Sequence, residues 1–236
     1  GVNLDVYNSS NNNYNLFPGL FDNDDIVITS KSYSNGCNSG YTTLARQLDQ
    51  QVHDRPQLTH VFSAGNSGTS DCGYGAGAGW GNITGGHKAG KNVIAVGNLS
   101  HTDILSGSSS RGPAEDGRIK PDICAVGSSV TSTGPDNIYF TISGTSMSCP
   151  GVSGTIAQLY HAYRDLNGGN DPDAALIKGA ILNTGEDLGN TGPDFQYGWG
   201  RINAREAFEV IKNNQYVSNN VSQGATNTHT ITVPAG

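Results

Sequence analysis

Charged residues are scarce in this chain, 14% of the total, and lysine and arginine never cluster. Without a basic run or stripe, the sequence argues against a nucleic-acid binder that tracks phosphates. No apolar stretch reaches the length that spans a bilayer, so no membrane partner is expected. No charged-then-apolar signal opens the chain, which starts abruptly at Gly1, as a processed or truncated product also would. The four cysteines, Cys37, Cys72, Cys124 and Cys149, include no CxxC spacing, which argues against a zinc knuckle. No D-x-D-x-D-G calcium loop and no solenoid-length repeat is present. What is abundant is glycine, 33 of 236 residues, together with Asn and Ser. That profile fits a loop-rich α/β or β protein with a polar, uncharged surface. The net charge of −7 and pI near 5.2 bear on solubility and identify no partner.

Organisation follows from the spacing of apolar residues. After a polar, Asn-rich lead-in of about 25 residues, 25–29 (DIVIT) reads as a buried strand. Residues 41–52 have Leu44, Leu48 and Val52 at helical spacing, and 60–64 (HVFSA) form a short apolar strand running into Gly65-Asn66-Ser67-Gly68. Strand, helix, strand is a crossover unit, which builds parallel sheets. Further short strands are expected at 92–97, 121–126 and 139–143. Helices are expected at 146–166, at 173–184 after Asp171-Pro172, and at about 203–213. Gly151 and Gly154 inside the first of these predict close packing against a neighbour. From Asn214 the pattern changes to alternating polar and β-branched residues, read as a strand of a following β-domain or linker over 215–236. Cys37 and Cys72 lie in Gly/Ser/Asn-rich loops where a disulfide fits a secreted protein; Cys124 and Cys149 read as inert buried thiols, and four cysteines leave three connectivities open.

Two segments carry chemistry. In Ser143-Gly144-Thr145-Ser146-Met147-Ser148-Cys149-Pro150, Ser146 would stand at a helix N-terminus, where free N–H groups and the helix dipole face developing negative charge. A serine hydroxyl there needs a base to act as a nucleophile. Gly144 permits the tight turn, and Pro150 is expected near the first turn, where a missing N–H costs least. In Ser63-Ala64-Gly65-Asn66-Ser67-Gly68, Asn66 follows a strand and can donate its side-chain N–H to an oxyanion. Alone, each segment is equally a helix cap or a turn.

Together, and in this order, they resemble the asparagine and serine signatures of the subtilisin-like serine peptidases. Asn66 and Ser146 stand 146 − 66 = 80 positions apart. Between them 108–112 (SSSRG), 117–127 (GRIKPDICAVG) and 91–97 (KNVIAVG) resemble further family segments, as do 173–184 and 198–203 (GWGRIN) behind the serine. The resemblance runs from about Asp25 to Ile211. It is closest to larger members trailed by a β-sandwich. It implies a three-layer α/β fold, a parallel sheet flanked by helices, with residues 1–214 forming the C-terminal part of the peptidase domain. It implies a secreted serine endopeptidase acting on polypeptide, with Ser146 as nucleophile and its own N–H plus Asn66 as oxyanion hole. Ser32, Tyr33 and Ser34 would pair with substrate backbone, and Ser63, Ala64 and Gly65 would wall a roomy P1 pocket. Gly144 and Thr145 would complete the substrate contacts. The loop Thr84–Lys88 would form the pocket rim, where His87 and Lys88 would favour acidic side chains.

The family's His-Gly-Thr and Asp-Ser/Thr-Gly motifs are absent from this sequence. None of His53, His60, His87, His101, His161 and His229 precedes Gly-Thr, and each reads as a surface or packing residue. The resemblance therefore places the triad histidine and aspartate upstream of Gly1, or on a second chain, as a required partner. No catalytic cofactor is implied. Structural calcium occurs in relatives, and Asp22-Asn23-Asp24-Asp25 is the acidic segment to weigh against a solvated turn. Sequons begin at Asn8, Asn82, Asn98 and Asn220. Two other readings remain: a non-catalytic peptide-binding or scaffold relative, and a serine-carboxyl peptidase. The second places Asp at the oxyanion position, where this chain has Asn66.

Overall fold

The computed structural model describes residues 14–33, 36–37, 40–73, 75–83 and 85–230. Four parallel strands, β1 (Ile28–Lys31), β2 (Thr59–Ser63), β3 (Ile94–Leu99) and β4 (Ile123–Val126), form one sheet in the order β1-β2-β3-β4. The register sets Val61 opposite Ser30 on one side and Ile94 on the other. β2 and β3 are buried throughout, which is why they read as continuous apolar runs rather than alternating ones. Successive side chains still point to opposite faces. Val61 joins Ile94, Val96 and Ile123 in one core, while Phe62 joins Leu48, Leu58 and Val93 in the other.

Helices cover both faces. α3 (Thr145–Leu166), α4 (Ala174–Asn183) and α5 (Ala204–Lys212) bring Val152, Ile156, Ile177, Ile181 and Ile211 onto the first core. α1 (Leu16–Asp24) and α2 (Thr43–Asp54) cover the second with Phe17 and Leu48. This is the expected three-layer α/β fold. Thr42 caps α2, its hydroxyl accepting from the Ala45 N–H, and Asn203 caps α5 through the Glu206 N–H.

Several details depart from the sequence expectations. The lead-in contains α1, closed by Asp25 in a left-handed conformation (φ 54°), and this pushes the start of β1 to Ile28. The strand expected at 139–143 does form, as β6 (Tyr139–Ile142), but it pairs antiparallel with β5 (Val130–Thr133) in a separate exposed hairpin. Gly151 and Gly154 do not pack closely: both face solvent, and a methyl group at either would meet nothing within 4 Å. Residues 215–230 form no strand, and 231–236 lie outside the described residues.

Buried polar contacts lock the crossovers. Asp49 of α2 accepts from the Tyr41 hydroxyl (2.7 Å) and from the N–H groups of Lys91 (2.9 Å) and Asn92 (2.7 Å), fixing the approach to β3. Asp122, at the start of β4, is ion-paired with buried Lys120 and with Lys178 of α4 (2.9 Å), and accepts from the Ala95 N–H (2.7 Å). The two lysines hold the Asp122 carboxyl below the ordinary carboxylate range against the opposing effect of its burial. A disulfide joins Cys37 and Cys72. Cys124 and Cys149 are buried thiols, and burial raises the pKa of both, which disfavours the reactive thiolate.

Candidate active site

The site forms where the C-terminal ends of β1 and β2 meet the first turn of α3. Gly127, just past β4, accepts from the Gly144 N–H (2.9 Å), and that contact aims the chain into α3. Gly144 has φ 155°, and a methyl group there would stand 3.2 Å from Asn66 Nδ2, so the position needs glycine. Ser146 is the second residue of α3. Among the described residues no backbone carbonyl outside the helix accepts from its N–H, as expected of a first-turn donor.

Asn66 is held from behind. Its Oδ1 accepts from the Thr145 N–H (3.0 Å) and the Thr145 hydroxyl (3.0 Å), and that hydroxyl accepts from the Gly65 N–H (3.2 Å). With the oxygen so occupied, the amide can present only its Nδ2 donors, over Gly144 and beside the α3 N-terminus. The Asn66 loop is itself fixed by the 108–112 segment. Ser110 donates its N–H to Gly65 O (2.8 Å) and accepts from the Ser67 N–H through Oγ (3.1 Å), and the Gly68 N–H reaches Ser108 O (2.9 Å).

Pro150 is the sixth residue of α3, beyond the first turn where it was expected. Its missing N–H would have bonded Ser146 O. Ser32 takes over: its hydroxyl donates to Ser146 O (3.0 Å), and Ser146 Oγ donates back to Ser32 O (3.2 Å). This reciprocal pair ties the segment after β1 to the serine turn. Its signal in the sequence was indirect, because the partners are 114 residues apart.

The remaining expected residues fall around this pair. Ser63, Ala64 and Gly65 are buried at the end of β2. The Tyr33 ring turns inward against His87, 5.1 Å between centroids, and burial raises its pKa to about 12. Ser34 and Thr84 lie outside the described residues. His87 and Lys88 do not form a rim: they sit in a short 3-10 turn (His87–Ala89) and are 0% and 2% exposed, Lys88 lying beside Gly65.

Among the described residues no histidine or carboxylate hydrogen-bonds Ser146 Oγ. His60 is buried and shares a 2.8 Å hydrogen bond with Thr29, and burial brings the pKa of both His60 and His87 down to about 3. His53, His101, His161 and His229 are exposed. Asp22, of the acidic segment weighed for calcium, is bonded to Arg55, and among the described residues no three His, Cys, Asp or Glu side chains come together. Asn82 and Asn98 are buried and out of reach of glycan attachment in the folded chain, whereas Asn220 is exposed.

A parallel α/β sheet with a serine at the N-terminus of its central helix and a pinned asparagine amide beside it defines a serine-hydrolase layout. The chain belongs to the subtilase family, whose sequence profile matches residues 3–200. Subtilisin DY of Bacillus licheniformis is 32% identical over 172 residues, covering 73% of this chain and 54% of that protein. Thermitase of Thermoactinomyces vulgaris is 33% identical over 118 residues, 50% of this chain and 37% of its own length. The prenylagaramide maturation protease PagA shares the fold with a TM-score of 0.66 at 20% identity, over 82% of this chain and 65% of its own. The chain thus spans about half the length of subtilisin DY and less of thermitase.

Proposed function

We propose that this chain carries the nucleophile and oxyanion hole of a serine endopeptidase. The observation that carries the reading is the Thr145 clamp on Asn66 Oδ1, which leaves Nδ2 directed to the turn that bears Ser146. In the reaction Ser146 Oγ attacks the scissile carbonyl carbon and its proton passes to a general base. The carbonyl oxygen, now negative, is received by Asn66 Nδ2 and the Ser146 N–H, groups already oriented before charge develops. Collapse expels the amine, which takes the proton from the base, and water releases the acyl group from Ser146 by the same route in reverse.

The base and the carboxylate that orients it are supplied by polypeptide beyond this chain, either continuous with it or separate. The chemistry supports this part of the proposal: a serine hydroxyl is a weak nucleophile at neutral pH and needs a base, and the hydroxyl here donates only to the Ser32 carbonyl among the described residues. Ser32 and Tyr33, locked to Ser146 and His87, present the extended backbone against which substrate adds as a strand. The Cys37–Cys72 disulfide supports an oxidising, extracellular setting. No helix among the described residues is long and apolar enough to cross a membrane.

The test is hydrolysis of an internally quenched peptide library by the assembled protein and by its Ser146→Ala variant. Cleavage by the first and none by the second is expected. Equal turnover by both would remove Ser146 from the reaction. A peptide-binding relative without catalysis is the second reading; binding of the same peptides with no turnover by either protein would select it.

A further inference from the structure

The two most buried lysines of this chain are treated differently. Lys120 is paired with Asp122. Lys88, 2% exposed, has no carboxylate within 4 Å and no hydrogen-bond acceptor on its ammonium among the described residues. A buried ammonium without a counter-ion is costly to keep, and a carboxylate that arrives beside it relieves that cost.

Its position says where such a carboxylate would come from. A methyl group on Gly65 would stand 2.8 Å from Lys88 Nζ and 2.8 Å from Ser110 Oγ. The absent side chain at Gly65 (φ +116°) is therefore what leaves the ammonium reachable from the wall that Ser63, Ala64 and Gly65 form. Cys149 acts on Lys88 through its field, and the neighbouring His87 packs its ring against Tyr33. Gly65 immediately precedes Asn66, whose amide Thr145 holds, so the ammonium lies beside the segment that carries the oxyanion asparagine. Burial lowers the Lys88 pKa to about 8, so the group remains mostly protonated at neutral pH.

We infer that Lys88 reads the side chain immediately before the scissile bond, and that the substrates are polypeptides with glutamate or aspartate at that position. The inference rests on the peptidase reading above. It moves the cation from the rim of the roomy pocket expected from the sequence to its base, where it penalises an apolar side chain and rewards an acidic one.

The experiment uses the assembled protein and end-blocked peptides identical except for Glu, Gln, Asp or Leu at P1, so that the side chain is the only variable carboxylate. Lys88→Met keeps the length and removes a buried charge, a change a folded core tolerates; Lys88→Arg keeps the charge. The wild type is expected to favour Glu over Gln by tenfold or more in kcat/KM. The Glu:Gln ratio should fall at least tenfold in Lys88→Met and hold within a few-fold in Lys88→Arg. Binding of the same peptides to the Ser146→Ala protein, read by fluorescence anisotropy, should follow the same order without any turnover. A wild type that prefers Leu, or a Glu:Gln ratio unmoved by Lys88→Met, overturns the inference and leaves the peptidase reading standing. Tighter binding of Glu than Gln peptides with no cleavage of any peptide supports Lys88 and overturns the peptidase reading alone.

Discussion

At the scale of single residues, the site works by denying Asn66 any choice of orientation. Thr145 contributes both a backbone and a side-chain donor to Oδ1, and an amide whose oxygen is held this way keeps its N–H groups forward. Replacing Asn66 by Ala should lower kcat by about 10²–10³ with KM little changed, the loss measured for the equivalent donor in subtilisin itself. Thr145→Val should lower kcat in the same direction by less, and Thr145→Ser, which restores the hydroxyl, should recover it. Steady-state kinetics on one peptide check all three. That the Asn66 and Ser146 segments belong together was legible in the sequence, because each is a short string of special residues whose order is informative, and the structure joins them through Thr145. The exchange between Ser32 and Ser146 was not, because it depends on how β1 and α3 meet in space and on a proline whose cost shows only once the helix start is known.

Elements show where the sequence could be read and where it could not. β2, β3 and the apolar stripe of α3 announce themselves because their burial selects apolar runs, Val61-Phe62 and Ile94-Ala95-Val96 in the strands and Val152, Ile156 and Leu159 in the helix. α1 is hidden by Pro18, Gly19 and Asn23, and only Phe17 of its residues is buried. β5 and β6 give a weak signal because the hairpin is largely exposed, with Tyr139 and Ile138 turned to solvent. Gly154 misled in the opposite sense: it lies on the open face of α3 and serves no close approach. Gly154→Ala should therefore stabilise the helix by up to about 1 kcal/mol, read as a higher midpoint in urea. Asp122 is the element-level keystone, joining β4, the turn before it and α4. Asp122→Ala strands two lysines and should cost about 3–5 kcal/mol in the same assay.

The whole molecule is set to lose stability in acid, and the order of events follows from the signs. His60 and His87 have folded pKa values near 3, against 6.5 when unfolded, so between those values the unfolded chain binds more protons. Unfolding is then favoured progressively as pH falls from about 6.5 towards 3. Asp122 acts further down: its lowered carboxyl pKa contributes stability above the ordinary carboxylate range that is lost as pH falls through and below it. Urea midpoints across pH 3–8 should fall on acidification, with the upper part of the slope shallower in His60→Phe. Reduction of the Cys37–Cys72 bridge, which joins residues 35 positions apart, should lower stability by about 2–4 kcal/mol.

The central claim is that Ser146 is a nucleophile activated by a base that no described residue of this chain supplies. A fluorophosphonate probe applied to the protein, with the labelled residue mapped and the intact mass of every polypeptide recorded, tests it most directly. The account predicts label on Ser146 in material that also contains a polypeptide stretch bearing a His-Gly-Thr motif. Label on Ser146 in material that contains this chain alone would contradict it, because one of the six histidines present would then be the base.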